Sequence, residues 1–536
     1  MFSRAGHCPP HAISRRAALA GGAALAAAAT VRGTVAGQPA TPVADGGVPE
    51  SIAEVMGRPV FPNFTRWGIH VADEASGEAL LDLNGDDRFV PGSTTKLFPA
   101  SASLVAYGPD FRFETPVYAQ GTLADGTLDG DLILVASGDL TMGGRDLPDG
   151  TMAHGNIDHT DANAVPGFAV LTETNPLAGL DALAQQVAAA GVKRAKDVIV
   201  DARLWAQMAK DDYVLSPIMI NDNVVDLTIT PGKAGEPATL VSRPETAFYA
   251  IAVDVATAAA GTPLAIASTT PPMGDVTVSG SIAADSAPMV QTFQVEDPPA
   301  FARALFIEAL NRAGVAVDAP VRAPNPTDRL PAAGSYADAD RVARFTSLPL
   351  SEAVKVVMKV SLNQGADTLV FLLAVKSGTP TFDAGMAAIG DFLPTVGVDR
   401  KAVSLGDGRG NEPADLFSPR SACDLVRGMA ARPEGPALRA SLPILGVDGT
   451  EWQSIPKSSP ALGKIVAKSG TTATGDLVNQ RLLLLGKADA GYMTAASGRD
   501  LVWAAYVNDV PVADISGVLE VSAAIGGIAE AIFNEF

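Results

Sequence analysis

The spacing of apolar positions changes several times along this chain, and each change marks a different kind of element. Trp67 to Asp73 and Ala79 to Leu83 are short apolar-rich runs separated by Glu74-Ala75-Ser76-Gly77-Glu78, a pattern that reads as two strands joined by a turn. From Ser93 the period lengthens. Leu97, Ala100, Leu104 and Tyr107 recur at intervals of three and four, so Ser93 to Tyr107 reads as a helix entered through Pro91-Gly92. Pro99 is expected to kink it. Between about Phe111 and Asp340, short Val/Ile/Leu runs such as Gly130 to Val135 alternate with Gly, Pro and Asp turns. Helical patterns interrupt this only near Leu180 to Ala190 and Phe301 to Ala313. Beyond Leu348 helical periods dominate to about Ile465. Arg481 to Leu485 and Leu501 to Val507 then read as strands, and Ser516 to Phe533 as a closing helix.

Strands at both ends of the chain with helices between them predict an α+β fold: an antiparallel sheet flanked by helices. Its domain is discontinuous, 51–110 and 341–536, and a strand-rich insertion at 111–340, read as two subdomains, divides it. The extreme N-terminus has another character. Ser14-Arg15-Arg16 precedes a mildly apolar, Ala-rich run and then Thr34-Val35-Ala36, so 1–36 reads as an export signal of the twin-arginine kind, followed by a linker at 37–50. No other stretch reads as a membrane span, so the expectation is an exported protein (periplasm, envelope or secreted) with no transmembrane segment after signal removal.

Composition narrows the function. A formal charge of -20 over 536 residues excludes nucleic-acid binding, which needs clustered Lys and Arg. The only cysteines are Cys8 and Cys423, and the first falls in the signal, so neither an intrachain disulfide nor a Cys-based metal site is expected. His154 and His159, with Asp158 beside them, lie five apart in a Gly/Asn/Asp-rich stretch. That is not the spacing of a helical ligand pair, and they read as solvated. Neither metal nor cofactor is expected.

Three short motifs carry chemistry: Ser93-Thr94-Thr95-Lys96, Ser361-Leu362-Asn363 and Lys468-Ser469-Gly470. Each has a decoy. Ser454-Ile455-Pro456-Lys457 repeats the first, but Pro456 disfavours helical backbone at Ile455. Lys376-Ser377-Gly378 repeats the third, but it ends a helical run and is followed by Pro380, as a helix C-terminus would be. Lys468 instead follows Ile465-Val466-Ala467, a strand-like run whose edge can meet an extended peptide. Tyr506-Val507-Asn508 imitates the second motif, but within an apolar strand it reads as core.

These residue types form a working set. A serine hydroxyl is a weak nucleophile and needs an adjacent base. Ser93 and Lys96, three apart in a first helical turn, share a face. Lys96 can be that base if burial or a nearby cation such as Lys468 lowers its pKa. Ser361 is then expected to relay the proton to a leaving amine, and Asn363 to hold Lys96 and the substrate amide. The backbone N–H groups of Ser93 and Thr471 are expected to form an oxyanion hole. Lys468 with the Ser469 and Thr471 hydroxyls, on the strand that passes through Gly470, is expected to bind a terminal carboxylate.

On these motifs the chain resembles the class C low-molecular-weight penicillin-binding proteins, whose members are D-alanyl-D-alanine carboxypeptidases and endopeptidases. Longer stretches carry the resemblance too: Val90-Pro91-Gly92-Ser93, Ser137-Gly138-Asp139 after Gly130-Asp131-Leu132, Asn221 to Asp226, and Leu445 to Thr450. The interval of 268 positions between Ser93 and Ser361 matches the family's inserted domains and exceeds that of most class A β-lactamases. The resemblance implies a penicillin-recognising serine transpeptidase/β-lactamase-like fold. It also implies peptidoglycan stem peptides as substrates, β-lactams as inhibitors and no cofactor. A β-lactamase or esterase with the same residues, or a catalytically idle peptidoglycan-binding protein, stands as the alternative. Three departures are visible, one being Asp476-Leu477-Val478-Asn479-Gln480 where the family has a small-residue turn. Ser469 replaces the family's usual threonine, and Arg409 in Asp407-Gly408-Arg409-Gly410 puts a bulky cation at the expected site wall.

Overall fold

The computed structural model describes residues 47–269 and 271–536; the expected signal and most of the linker lie outside the described residues. Its central element is a five-stranded antiparallel sheet built from both ends of the chain. The strands are β1 (Arg66–Asp73), β2 (Ala79–Leu83), β3 (Ile465–Asp476), β4 (Arg481–Thr494) and β5 (Asp500–Val512), in the order β3-β4-β5-β1-β2. The strands read from sequence at 67–73 and 79–83 are β1 and β2, whereas β4 and β5 run well past the short apolar runs that signalled them.

The uninterrupted apolar character of β5 follows from its place in the middle of the sheet. Successive side chains point to opposite faces. Leu501, Trp503, Ala505 and Val507 enter a core with the C-terminal helix Ile515–Glu535 and the N-terminal helix Glu50–Met56. Val502, Ala504 and Tyr506 enter a second core on the other face. That second core is helical: α1 (Leu97–Tyr107), α2 (Leu350–Lys359), α3 (Asn363–Lys376) and α4 (Pro419–Ala430) pack there. Each fully buried Leu, Val or Phe in these layers contributes about 1.5–3 kcal/mol. The C-terminal helix is long and apolar enough to cross a membrane by length and composition, which corrects the reading that no such stretch exists. Half of its most apolar window is buried within the protein, as in a core helix.

The strand-rich body between α1 and α2 has its own core. It holds a six-stranded mixed sheet, two three-stranded sheets and a two-stranded ribbon. Arg341–Thr346 pairs antiparallel with Glu114–Ala124, joining the last strand before α2 to the first strand after α1. The helices read near 180–190 and 301–313 are Ala178–Ala189 and Pro298–Arg312.

Candidate active site

The serine turn is placed by backbone that approaches without side chains in between. Gly92 has φ +52, and a Cβ there would lie 2.6 Å from the Thr471 nitrogen. A Cβ on Gly470 would lie 2.0 Å from the Pro91 carbonyl oxygen. Only glycine at both positions lets the Ser93 turn rest against β3. On the sheet side, Asn508 accepts from the Val90 N–H at 2.9 Å and donates to the Val90 carbonyl at 3.2 Å, clamping the approach to β5. The single helix read over Ser93 to Tyr107 is in fact two pieces. Gly92–Lys96 is a 3-10 turn and α1 follows from Leu97. Pro99 sits in the first turn of α1, where its missing N–H costs little.

Within that turn, Lys96 Nζ donates to Ser93 Oγ at 2.6 Å and to Asn363 Oδ1 at 2.8 Å, and lies 3.4 Å from the Arg409 carbonyl oxygen. Lys96 is completely buried. Burial disfavours its ammonium and brings its pKa down to about 8, against the opposing charges of Asp161, Asp407 and Asp367. Asn363 opens α3. Ser361 lies in the short turn between α2 and α3 at φ +61, a conformation uncommon for a residue with a side chain and concentrated at functional sites.

On β3, Lys468 is also fully buried and donates to the Ser469 carbonyl at 2.7 Å. Burial, then the charge of Lys96, holds its pKa well below the usual lysine range. The Ser93 turn rests against β3, so the charge of Lys96 acts on Lys468. The Ser469 and Thr450 hydroxyls hydrogen-bond at 2.7 Å, Gly470 is the close-packing point described above, and Thr471 is exposed one residue further along the strand. The decoy lysines are held elsewhere. Lys376 ends α3 with its ammonium over the Tyr107 ring, and Lys457 bonds the Gly446 carbonyl from a loop.

Arg409 lies at the site, its carbonyl 3.4 Å from Lys96 Nζ, but its charge is spent: it is 3 % exposed, bonds Asp407 at 3.0 Å and Asp212 at 2.7 Å, and lies over the Tyr213 ring. One expectation is corrected. His159 is not solvated. It is buried in a knot of charge together with Arg145, Asp158, Asp222 and Asp226. Arg145 reaches Asp158 at 2.8 Å and Asp222 at 2.7 Å. The two ring nitrogens of His159 meet Asp222 at 2.9 Å and Asp226 at 2.6 Å. Burial opposes a charged imidazole here, but Asp226 and Asp158 outweigh it and raise its pKa to about 10. His154 is half-buried, and burial lowers its pKa. Asp158, His159 and Asp222 bring donor atoms within 4.8 Å of one another, as a cation site would. Arg145 and the doubly hydrogen-bonded imidazole pair with these carboxylates, two cations against the three aspartates of the knot.

An antiparallel sheet with a helical face, and a serine and lysine one turn apart beneath a lysine-bearing edge strand, define a penicillin-recognising protein that uses an active-site serine. The D-Ala-D-Ala carboxypeptidase 3 (S13) family model matches residues 50–530, and the chain belongs to that family. It is 29% identical over 430 residues to a D-alanyl-D-alanine carboxypeptidase of an Actinomadura species, covering 75% of this chain and 72% of the relative. It is 25% identical over 458 residues to the D-alanyl-D-alanine carboxypeptidase DacB of Haemophilus influenzae, covering 82% of this chain and 84% of the relative. The crystal structure of penicillin binding protein 4 (dacB) from the same bacterium superposes with a TM-score of 0.67 at 20% identity. That match spans 90% of this chain and 99% of the other, so the two share a fold.

Proposed function

We propose that this chain is an exported serine D-Ala-D-Ala carboxypeptidase, acting also as an endopeptidase on the same type of bond, which cleaves peptidoglycan stem peptides through an ester on Ser93. The observation that carries this reading is the buried contact of 2.6 Å between Lys96 Nζ and Ser93 Oγ, with Lys96 at about 8. A lysine poised near neutrality takes the hydroxyl proton as Oγ attacks the peptide carbonyl. Asn363 holds the amine in line from its other side. The Ser93 and Thr471 N–H groups receive the developing oxyanion, and preorganised donors of this kind supply much of the rate. Ser361 passes the proton to the leaving amine. Lys468 with the Ser469 and Thr471 hydroxyls binds the terminal carboxylate, and water then releases the acyl group.

β-Lactams acylate the same serine in this reading. The Haemophilus influenzae penicillin binding protein 4 has also been crystallised complexed with a β-lactam. Export rests on the basic and Ala-rich pattern of 1–36, and the half-buried C-terminal helix serves as core rather than as an anchor. The division into 51–110 plus 341–536 around an inserted body accords with the sheet that joins the two chain ends.

The test is intact-protein mass spectrometry after incubation with a penicillin. One adduct on the wild type and none on Ser93→Ala is the expected result. Failure of the wild type to acquire an adduct while the penicillin stays intact would remove the acyl-enzyme and favour a catalytically idle binding protein.

A further inference from the structure

The segment from Pro443 to Glu451 touches two walls of the active site and supplies no group to the reaction above. It starts against β3. The Ala467 N–H donates to the Pro443 carbonyl and the Leu445 N–H to the Ile465 carbonyl, both at 3.0 Å, so that Ile444 and Val466 pair antiparallel. Asp448 then turns the segment back. Its carboxylate accepts from the Ile444 N–H at 2.7 Å and from Lys359 Nζ at 2.6 and 2.9 Å. Lys359 is buried at the end of α2, two residues before Ser361. Gly449 closes on the same place, where a Cβ would lie 2.4 Å from the Lys359 carbonyl oxygen. The segment is therefore fixed to β3 at its start and, at its turn, to the helix that leads into Ser361.

These anchors hold Thr450, which lies in the 3-10 turn Gly449–Glu451. Its hydroxyl is 2.7 Å from that of Ser469. Ser469 is buried, and among the described residues this is the one hydrogen bond of its side chain. The chemistry of the substrate sets the direction of that bond. A hydroxyl has one proton to give and two lone pairs, whereas a carboxylate only accepts. Ser469 can bind a carboxylate only with its own proton, so towards Thr450 it must be the acceptor. Were the direction reversed, only lone pairs would face the substrate anion and repel it.

We propose that Thr450 is a positioning residue for substrate binding: its hydroxyl donates to Ser469 Oγ and turns the Ser469 proton towards the terminal carboxylate of the peptide. This rests on the carboxypeptidase reading above, in which Ser469 binds that carboxylate. Thr450 acts only through Ser469. The departure from the family's usual threonine makes the partner matter more. A threonine side chain is stiff about its first torsion, and serine lacks the methyl group that makes it so. The Ser469 hydroxyl thus takes its direction from Thr450.

The experiment is a double-mutant cycle, read as kcat/KM for release of D-alanine from a D-Ala-D-Ala peptide, in wild type, Thr450→Val, Ser469→Ala and the double variant. Valine keeps the shape of threonine and removes the donor. Thr450→Val should lower kcat/KM by about tenfold, the effect of leaving a hydrogen bond to a charged group undirected. With Ser469 already alanine the same change should cost less than about twofold, because the two groups act as one. Thr450→Ser keeps the hydroxyl and should stay within about threefold of wild type. Thr450→Ala supplies a second donor-free variant should valine disturb the fold. Equal losses in both backgrounds would overturn the proposal, since Thr450 would then support the fold and not Ser469. A Thr450→Ser variant as impaired as Thr450→Val would overturn it too, as would a loss below about twofold from removing the donor in the wild-type background. A wild type that acquires the Ser93 adduct with penicillin but releases no D-alanine would instead overturn the carboxypeptidase reading, and this proposal with it.

Discussion

Replacing Arg145 with methionine keeps most of the side chain's volume and removes only the guanidinium. In the folded protein that guanidinium lies between Asp158 and Asp222, whose side chains are 2 % and 4 % exposed. Without it the two carboxylates stay buried with only His159 to balance them. Removing one partner from a buried ion pair costs roughly 3–5 kcal/mol, because the remaining charge is left uncompensated. The continued presence of His159 places the expected loss near the lower end, about 3 kcal/mol. The pH dependence has a definite sign. His159 has its pKa raised from 6.5 to about 10 in the folded protein. Its contribution is therefore complete below pH 6.5 and is lost as pH rises through about 10. Urea unfolding of wild type, Arg145→Met and His159→Gln at pH 7 and pH 10.5 measures both effects. The wild type should lose its advantage over His159→Gln at the higher pH. A cost below about 1 kcal/mol for Arg145→Met, or an advantage over His159→Gln that does not change with pH, would refute the idea that this knot is held by charge.

Two further outcomes bear on the lysines. Only the neutral amine of Lys96 accepts the Ser93 proton, so the second-order rate of penicillin acylation should climb about tenfold per pH unit below about 8 and level off above it; a flat profile between pH 5.5 and 8 would show that Lys96 is not the base. Lys468→Ala should lower kcat/KM for a D-Ala-D-Ala peptide by on the order of 100-fold, through lost carboxylate binding, whereas Lys376→Ala, at the far end of α3, should stay within about twofold of wild type.

The parts of this site that the sequence discloses are those whose geometry is local. Ser93 and Lys96 share a face because any helical turn places residues three apart together, and the 3-10 form of the turn does not alter that. Lys376 is recognisable as a helix end because Lys376, Ser377 and Gly378 are themselves the ending, with Gly378 at φ +83. Nothing local brings Asn363 to Lys96 across 267 positions, and there the family resemblance does the work that spacing cannot.

His159 shows the opposite limit. Its Gly- and Asp-rich surroundings describe a solvated loop, but its partners Asp222 and Asp226 lie 63 and 67 positions away, in a 3-10 turn and the strand that follows it. Composition reports how a segment would behave alone, and a buried ion network is a property of the elements it joins. Arg409 differs for the same reason, since Asp212 and Tyr213 come from the inserted body.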